Sequence, residues 1–190
     1  MSCRELVVII AQGGAEMQEY KETLALAAYL LDYPDAKWWE SLADARQTAE
    51  QSPHQQSREE LLAVIDYIED MGQKEYEEWY VRVFEFSANT NLYLTMHNRT
   101  DFGRQAKDML EFKRLFLENG YDTNKELPDF LPAVLELTAS LPRERASSVL
   151  KVAAPKVELL RSRFTEAKLA HTFLLDVILT TAEELESETA

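Results

Sequence analysis

Ser57-Arg-Glu-Glu60-Leu61-Leu-Ala-Val-Ile65-Asp-Tyr-Ile68-Glu-Asp-Met71 is the stretch on which the fold class turns. Leu61, Leu62, Ile65, Ile68 and Met71 recur at intervals of three and four residues, the period of a helix buried on one face; a half-buried strand would alternate. Ser57 three residues ahead of Glu60 reads as a capping box, and Gly72 closes or bends the run. The same period extends outward in both directions.

Upstream, Leu24, Ala27, Ala28 and Leu31 mark a helix from Glu19 that stops at Asp32-Tyr33-Pro34, because the residue before a proline avoids the helical region. Asp35 caps a second helix carrying Trp38, Trp39, Leu42 and Ala45, followed by a polar loop from Gln47 to Ser57 around Pro53. Downstream, Glu75 to Phe86 aligns Tyr76, Trp79, Tyr80, Val83 and Phe84, and Asn91 to His97 reads as a further short helix. Asp101 caps a helix ending at Asn119-Gly120, Glu126 to Asp129 opens the next, and Pro142 opens another. Pro155 is placed at the first turn of a last helix that carries Val157, Leu160, Phe164, His171, Leu174, Leu175 and Ile178. The fold class is all-α: a single-domain bundle of about seven to eight helices.

Composition agrees with that reading. Only 5 glycines and 6 prolines interrupt 190 residues, and the 46% hydrophobic fraction supports one real core against 28% charge. The expected organisation is a flexible N-terminal tail over 1-16, a helical domain over 17-182 and an acidic, frayed terminus over 183-190. Gly13-Gly14 separates the apolar run Leu6 to Ala11 from the first helix, so Met17 reads as a working start, with a short edge strand as the other reading of the tail.

The formal charge of -14, from 20 basic and 34 acidic residues, repels nucleic-acid phosphates and anionic bilayers and attracts cationic partners. Cys3 is the only cysteine, which excludes an internal disulfide and a cysteine-based metal site within one chain. Leu6 to Ala11 is too short to span a bilayer, Arg4-Glu5 is a poor lead for a secretory signal, and a cytoplasmic location is expected.

Catalytic signatures are missing. None of His54, His97 and His171 has a Glu three residues before it, as a carboxylate-bridged di-iron bundle needs, and no zinc, dinucleotide, phosphate-loop or nucleophile-elbow pattern occurs. His171 on an apolar stripe reads as a hydrogen-bonded core or interface residue. His97, beside Asn98, Arg99 and Asp101, reads as part of a polar cap but remains a candidate. The acidic run Asp66, Glu69, Asp70, Glu75, Glu77 and Glu78 reads either as a solvated face or as a landing patch for a basic peptide.

Three blocks carry a resemblance. Tyr80-Val-Arg-Val-Phe84-Glu85-Phe-Ser, Asn91-Leu-Tyr93-Leu-Thr-Met-His97 and Glu126-Leu127-Pro128-Asp129-Phe-Leu131-Pro132 together resemble the NarJ family, the assembly chaperones of respiratory nitrate reductase and related molybdenum enzymes. The similarity begins at Leu30-Leu31-Asp32-Tyr33-Pro34 and continues past Ala154-Pro155; a more distant one to the TorD and DmsD chaperones rests mainly on Glu126 to Asp129. Relatives tend to read Gly-Asp/Glu-x-Arg-x-Arg-Gly after the histidine matching His97, whereas this chain reads Thr100-Asp101-Phe102-Gly103-Arg104-Gln105-Ala106. That departure leaves the client open between nitrate reductase and related selenate, chlorate, dimethyl sulfide or hydrocarbon-oxidising enzymes.

The resemblance implies a system-specific chaperone, not an enzyme. Such a chaperone binds the N-terminal peptide and other surfaces of an apo molybdoenzyme catalytic subunit until the molybdenum cofactor and an iron-sulfur cluster are inserted, before membrane docking. No cofactor of its own is implied. Helix-in-groove capture of a basic segment needs an apolar trough with acidic walls. Tyr80, Phe84, Tyr93 and Leu127 are the expected lining, with Asp66, Glu69, Glu85 and Asp129 as acidic attraction and His97, Asp101, Glu126 and Pro128 completing the candidate client-binding set. The rival readings are a metal-dependent helical hydrolase built on His97 and Asp101, and an adaptor for an unrelated client.

Overall fold

The computed structural model describes residues 19–97, 102–121 and 126–187. Eight α-helices lie among them: α1 (Glu19–Leu31), α2 (Ala36–Gln51), α3 (Gln55–Met71), α4 (Gln73–Tyr80), α5 (Phe102–Glu118), α6 (Leu131–Ser140), α7 (Arg143–Glu166) and α8 (Thr172–Ser187). A π-helical turn, Val81–Glu85, prolongs α4, and a 3-10 turn covers Leu94–His97. No strand occurs among the described residues; an isolated antiparallel bridge joins Tyr93 to Phe130. No helix among them is long and apolar enough to cross a membrane.

Helix α1 is the centre. The spacing of Leu24, Ala27, Ala28 and Leu31 marks only one stripe, yet Ala25, Leu26, Tyr29 and Leu30 are buried as well. A helix apolar on every side must be enclosed on every side, and α6, α8, α2 and α3 all pack against it. Each fully buried leucine here contributes about 2 kcal/mol of transfer free energy. Trp38 locks α2 onto α1: its indole Nε1 donates to the Tyr29 carbonyl at 2.7 Å, and the two rings stack with centroids 4.9 Å apart. Asp35 caps α2 as its position suggests, accepting from the Trp38 N–H at 2.9 Å.

Four boundaries differ from the sequence reading. Helix α2 runs to Gln51 and α3 starts at Gln55, so the loop shrinks to Ser52-Pro53-His54 and Ser57 is a buried residue within α3 instead of its cap. The Glu60 carboxylate accepts from the Gln56 amide at 3.0 Å and does not reach back over the helix start. Around Glu126 to Asp129 the chain is irregular, and α6 begins only at Leu131. Pro155 lies inside α7, on an exposed face where the carbonyl it leaves unpaired can meet water.

The expected last helix is two helices. Lys168 adopts a left-handed conformation with φ 56°, and the Leu169 N–H returns to the Phe164 carbonyl at 3.0 Å, closing α7 with a residue other than glycine. His171 therefore sits in the turn before α8. Helix α8 continues through Ser187 with Leu185 buried, beyond the point where fraying is expected, while the N-terminal tail falls outside the described residues.

His171 is fully buried among the rings of Tyr67, Tyr76, Trp79 and Phe84, 2.9 Å from the Tyr76 hydroxyl through Nε2. Burial pushes its pKa down to about 3, so it stays neutral in the folded chain. Between that value and about 6.5 the unfolded chain holds a proton that the folded chain does not, so stability falls as pH drops through this window. Urea unfolding at pH 7 and pH 5 should show wild type losing about 2 kcal/mol more than His171→Gln over that interval. Equal losses in the two proteins would refute the buried neutral imidazole.

Candidate client-binding site

Three segments far apart in sequence meet where α1 ends. The Tyr80 hydroxyl donates to the Leu31 carbonyl at 2.8 Å, which ties the last turn of α4 to the end of α1. Pro34 prevents α1 from continuing, so Asp32 and Tyr33 turn outward, and the Tyr33 ring stands edge-on to Tyr80 with centroids 5.6 Å apart. The π-turn then carries the chain past Phe84, packed inward on Phe164, and leaves Glu85 and Phe86 exposed.

The third segment arrives through the Tyr93–Phe130 bridge. The Leu94 N–H donates to the Asp129 carbonyl at 3.0 Å and the Leu131 N–H to the Leu92 carbonyl at 2.9 Å. Within this frame Asp129 is fully buried; its Oδ2 accepts from the Thr95 N–H at 3.1 Å and the Thr95 hydroxyl at 2.7 Å. Asp129 thereby holds the turn 127–130, whose Phe130 N–H donates to the Leu127 carbonyl at 3.0 Å and which leaves Leu127 54% exposed.

The surface so assembled is aromatic and acidic. Tyr33, Tyr93 and Leu127 supply its apolar part, and Asp32, Glu85 and Glu126 its charge. The Tyr93 hydroxyl donates to Glu126 at 3.5 Å, and its ring lies 5.3 Å from that of Phe130. Partial burial, followed by the fields of Glu126 and Asp129, raises the Tyr93 phenol above its ordinary value; burial, then Asp32, does so strongly for Tyr80. Both phenols stay protonated and act as donors. The surface can attract a cationic segment and offer it apolar contact.

The predicted residues divide into separate groups. Glu85, Glu126 and Leu127 are exposed and Tyr93 is half-buried, and the four lie close together. Tyr80 and Phe84 are core residues, 2% and 3% exposed, and support the surface from beneath instead of lining a trough. Pro128 and Asp129 are buried too, so Asp129 positions the turn and is not itself an attracting wall. His97 is buried, its Nε2 donating to the Asn91 carbonyl at 2.7 Å while Arg163 donates to the His97 carbonyl at 2.7 Å. Burial lowers the His97 pKa, Arg163 adds to that, and the Asn91 bond opposes it.

Asp66 and Glu69 lie apart from this surface, on α3, where both grip Arg46 of α2 at 2.6 and 2.7 Å; they make a surface ion-pair fork between helices. Asp101 falls outside the described residues. Asp32 and Tyr33 were not among the candidate site residues; the sequence reading used them as a helix stop and as part of the block where the resemblance begins. Their signal was an aromatic and a carboxylate forced out of a buried helix by proline.

Residues 31–172 match the family model described as nitrate reductase delta subunit, a span that contains the surface from Asp32 to Leu127. The chain is 31% identical, over 86% of its length and 89% of the relative's, to a Bacillus subtilis (strain 168) protein named as a probable nitrate reductase molybdenum cofactor assembly chaperone, NarJ. It is 28% identical to the Escherichia coli (strain K12) NarJ chaperone of that name, over 82% of this chain and 67% of the relative. A second protein of that strain, NarW, named as a probable chaperone of the same kind, is 25% identical over 83% of this chain and 67% of its own length.

If Thr95 fixes Asp129, Thr95→Val should strip a donor from a buried carboxylate at a cost of about 1–3 kcal/mol. That corresponds to a fall in Tm of roughly 2–10 °C by circular dichroism for a chain of this size. An unchanged Tm would show that the turn does not depend on this bond.

Proposed function

The chain belongs to the nitrate reductase delta subunit family, and from that premise we propose that it is a system-specific chaperone, not an enzyme. Its client is the apo catalytic subunit of a nitrate reductase or closely related molybdoenzyme. It holds that subunit competent for insertion of the molybdenum cofactor and an iron-sulfur cluster before membrane docking, and it works in the cytoplasm. The observation that carries the reading is the surface formed by exposed Tyr33 and Leu127 and half-buried Tyr93 among Asp32, Glu85 and Glu126, on a family whose relatives carry assembly-chaperone names.

A basic, partly apolar N-terminal peptide of the client suits this surface. The carboxylates steer its approach and select its charge, and Leu127 with the tyrosines holds it once docked. Tyr80, Phe84 and Asp129 act indirectly, by keeping the surface in shape. The rival hydrolase was built on His97 and Asp101; the His97 Nε2 is engaged by a backbone carbonyl, and Asp101 lies outside the described residues.

The two kinds of residue should fail differently. With a labelled peptide of the client's N-terminal segment, Glu85→Gln with Glu126→Gln should flatten the dependence of affinity on salt. Leu127→Ser should speed dissociation on the order of tenfold while leaving the salt slope intact. Stopped-flow fluorescence across a salt series separates these, and wild-type behaviour in both variants would sink the assignment.

A further inference from the structure

Helix α5 presents a second surface of opposite character. It buries Phe112, Leu115 and Phe116 inward, while on its other side Leu110 and Leu117 are 66% and 57% exposed. At about 100° per residue, Lys107, Leu110, Arg114 and Leu117 fall on one line along the outer face, and Lys113 flanks it on the other edge. All five are exposed, as is Tyr121, 43% exposed, beyond the helix end.

The carboxylates of α5 cancel this charge only in part. Asp108 is turned in on Lys156 of α7 at 3.5 Å, Glu111 is half-buried, and Glu118 is held by Arg114 at 3.4 Å. A molecule with a formal charge of -14 thus carries here an apolar strip edged by cations. The alternating steps of three and four residues are those of a coiled-coil seam, with leucines at one set of seam positions and cations at the other.

We propose that the outer face of α5 is a docking surface for an acidic amphipathic helix of a partner protein. Leu110 and Leu117 pack into the partner's apolar seam, and Lys107, Lys113 and Arg114 meet its carboxylates. Charge complementarity selects this occupant. Among the described residues a second copy offers no matching element: the remaining large exposed apolar side chains there are Tyr33, Phe86, Met96, Leu127 and Phe173, and no acidic helix carries a stripe of them. An anionic bilayer would have to hold a strongly acidic molecule through two leucines.

The test uses the full chain and a synthetic helical peptide of about three heptads with leucine at its seam positions and glutamate beside them. Fluorescence anisotropy should show saturable binding. Leu110→Ser with Leu117→Ser, and separately Lys107→Glu with Arg114→Glu, should each weaken it about tenfold or more, with Tm unchanged. A peptide with lysine in place of each glutamate should not bind. The proposal is overturned by no binding, by equal binding of the lysine peptide, or by insensitivity to both double variants. It is equally overturned if these variants instead abolish self-association in sedimentation, or if phosphatidylglycerol vesicles are bound in preference to the peptide. A fall in Tm in the leucine variant would also overturn it, because the chain itself would then cover the stripe.

Discussion

A helix enclosed on all sides has nowhere to send the carbonyls of its last turn, and that constraint at the end of α1 organises much of this molecule. The final C=O groups of a helix lack intrahelical donors, and water cannot serve them inside a core. Here the donors come from aromatic side chains of other elements: the Trp38 indole for Tyr29 and the Tyr80 hydroxyl for Leu31. Tyrosine and tryptophan suit the task because each fills core volume while carrying one polar atom at its rim. The aromatic layer that follows, from Trp38 through Tyr76 and Trp79 to Phe84, is thus both packing and capping.

The same arrangement explains why the candidate site sits where it does. Satisfying the Leu31 carbonyl brings the end of α4 against the end of α1, and proline then forces Asp32 and Tyr33 outward beside it. The Tyr93–Phe130 bridge adds the third segment, with the Thr95 and Asp129 side chains as its pin. The exposed residues available for recognition rest on a buried polar and aromatic scaffold. A site on such a support keeps its shape without a partner, which reduces the ordering cost of binding.

Periodicity made the helices legible, because amphipathic spacing and proline stops are local signals that tertiary packing rarely reverses. The boundaries that went astray have identifiable causes. Ser57 has the chemistry of a cap, but it is buried within α3, which starts two residues earlier at Gln55. Pro155 is a helix starter by preference and is tolerated inside α7 because it faces solvent. The break before His171 was hidden because Lys168, not glycine, takes the left-handed conformation.

For the site, residue type was legible and burial was not. Glu85, Tyr93, Glu126 and Leu127 entered the candidate set because they lie in the blocks that carried the resemblance. Tyr80, Phe84 and Asp129 look identical to them in sequence, and only the fold separates a supporting residue from a contacting one. Asp66 and Glu69 were drawn in by charge density alone, and Arg46, twenty or more residues away, claims both.

The π-turn from Val81 to Glu85 has a consequence for how this surface could change. Such a turn holds one residue more than an α-turn, so its length sets the direction in which Glu85 and Phe86 emerge. Removing a single residue would restore regular winding and swing both side chains by about 100° around the axis. Chain length between Tyr80 and Ser87 thus governs aim independently of composition, and an insertion or deletion there would re-aim Glu85 and Phe86 without altering either side chain.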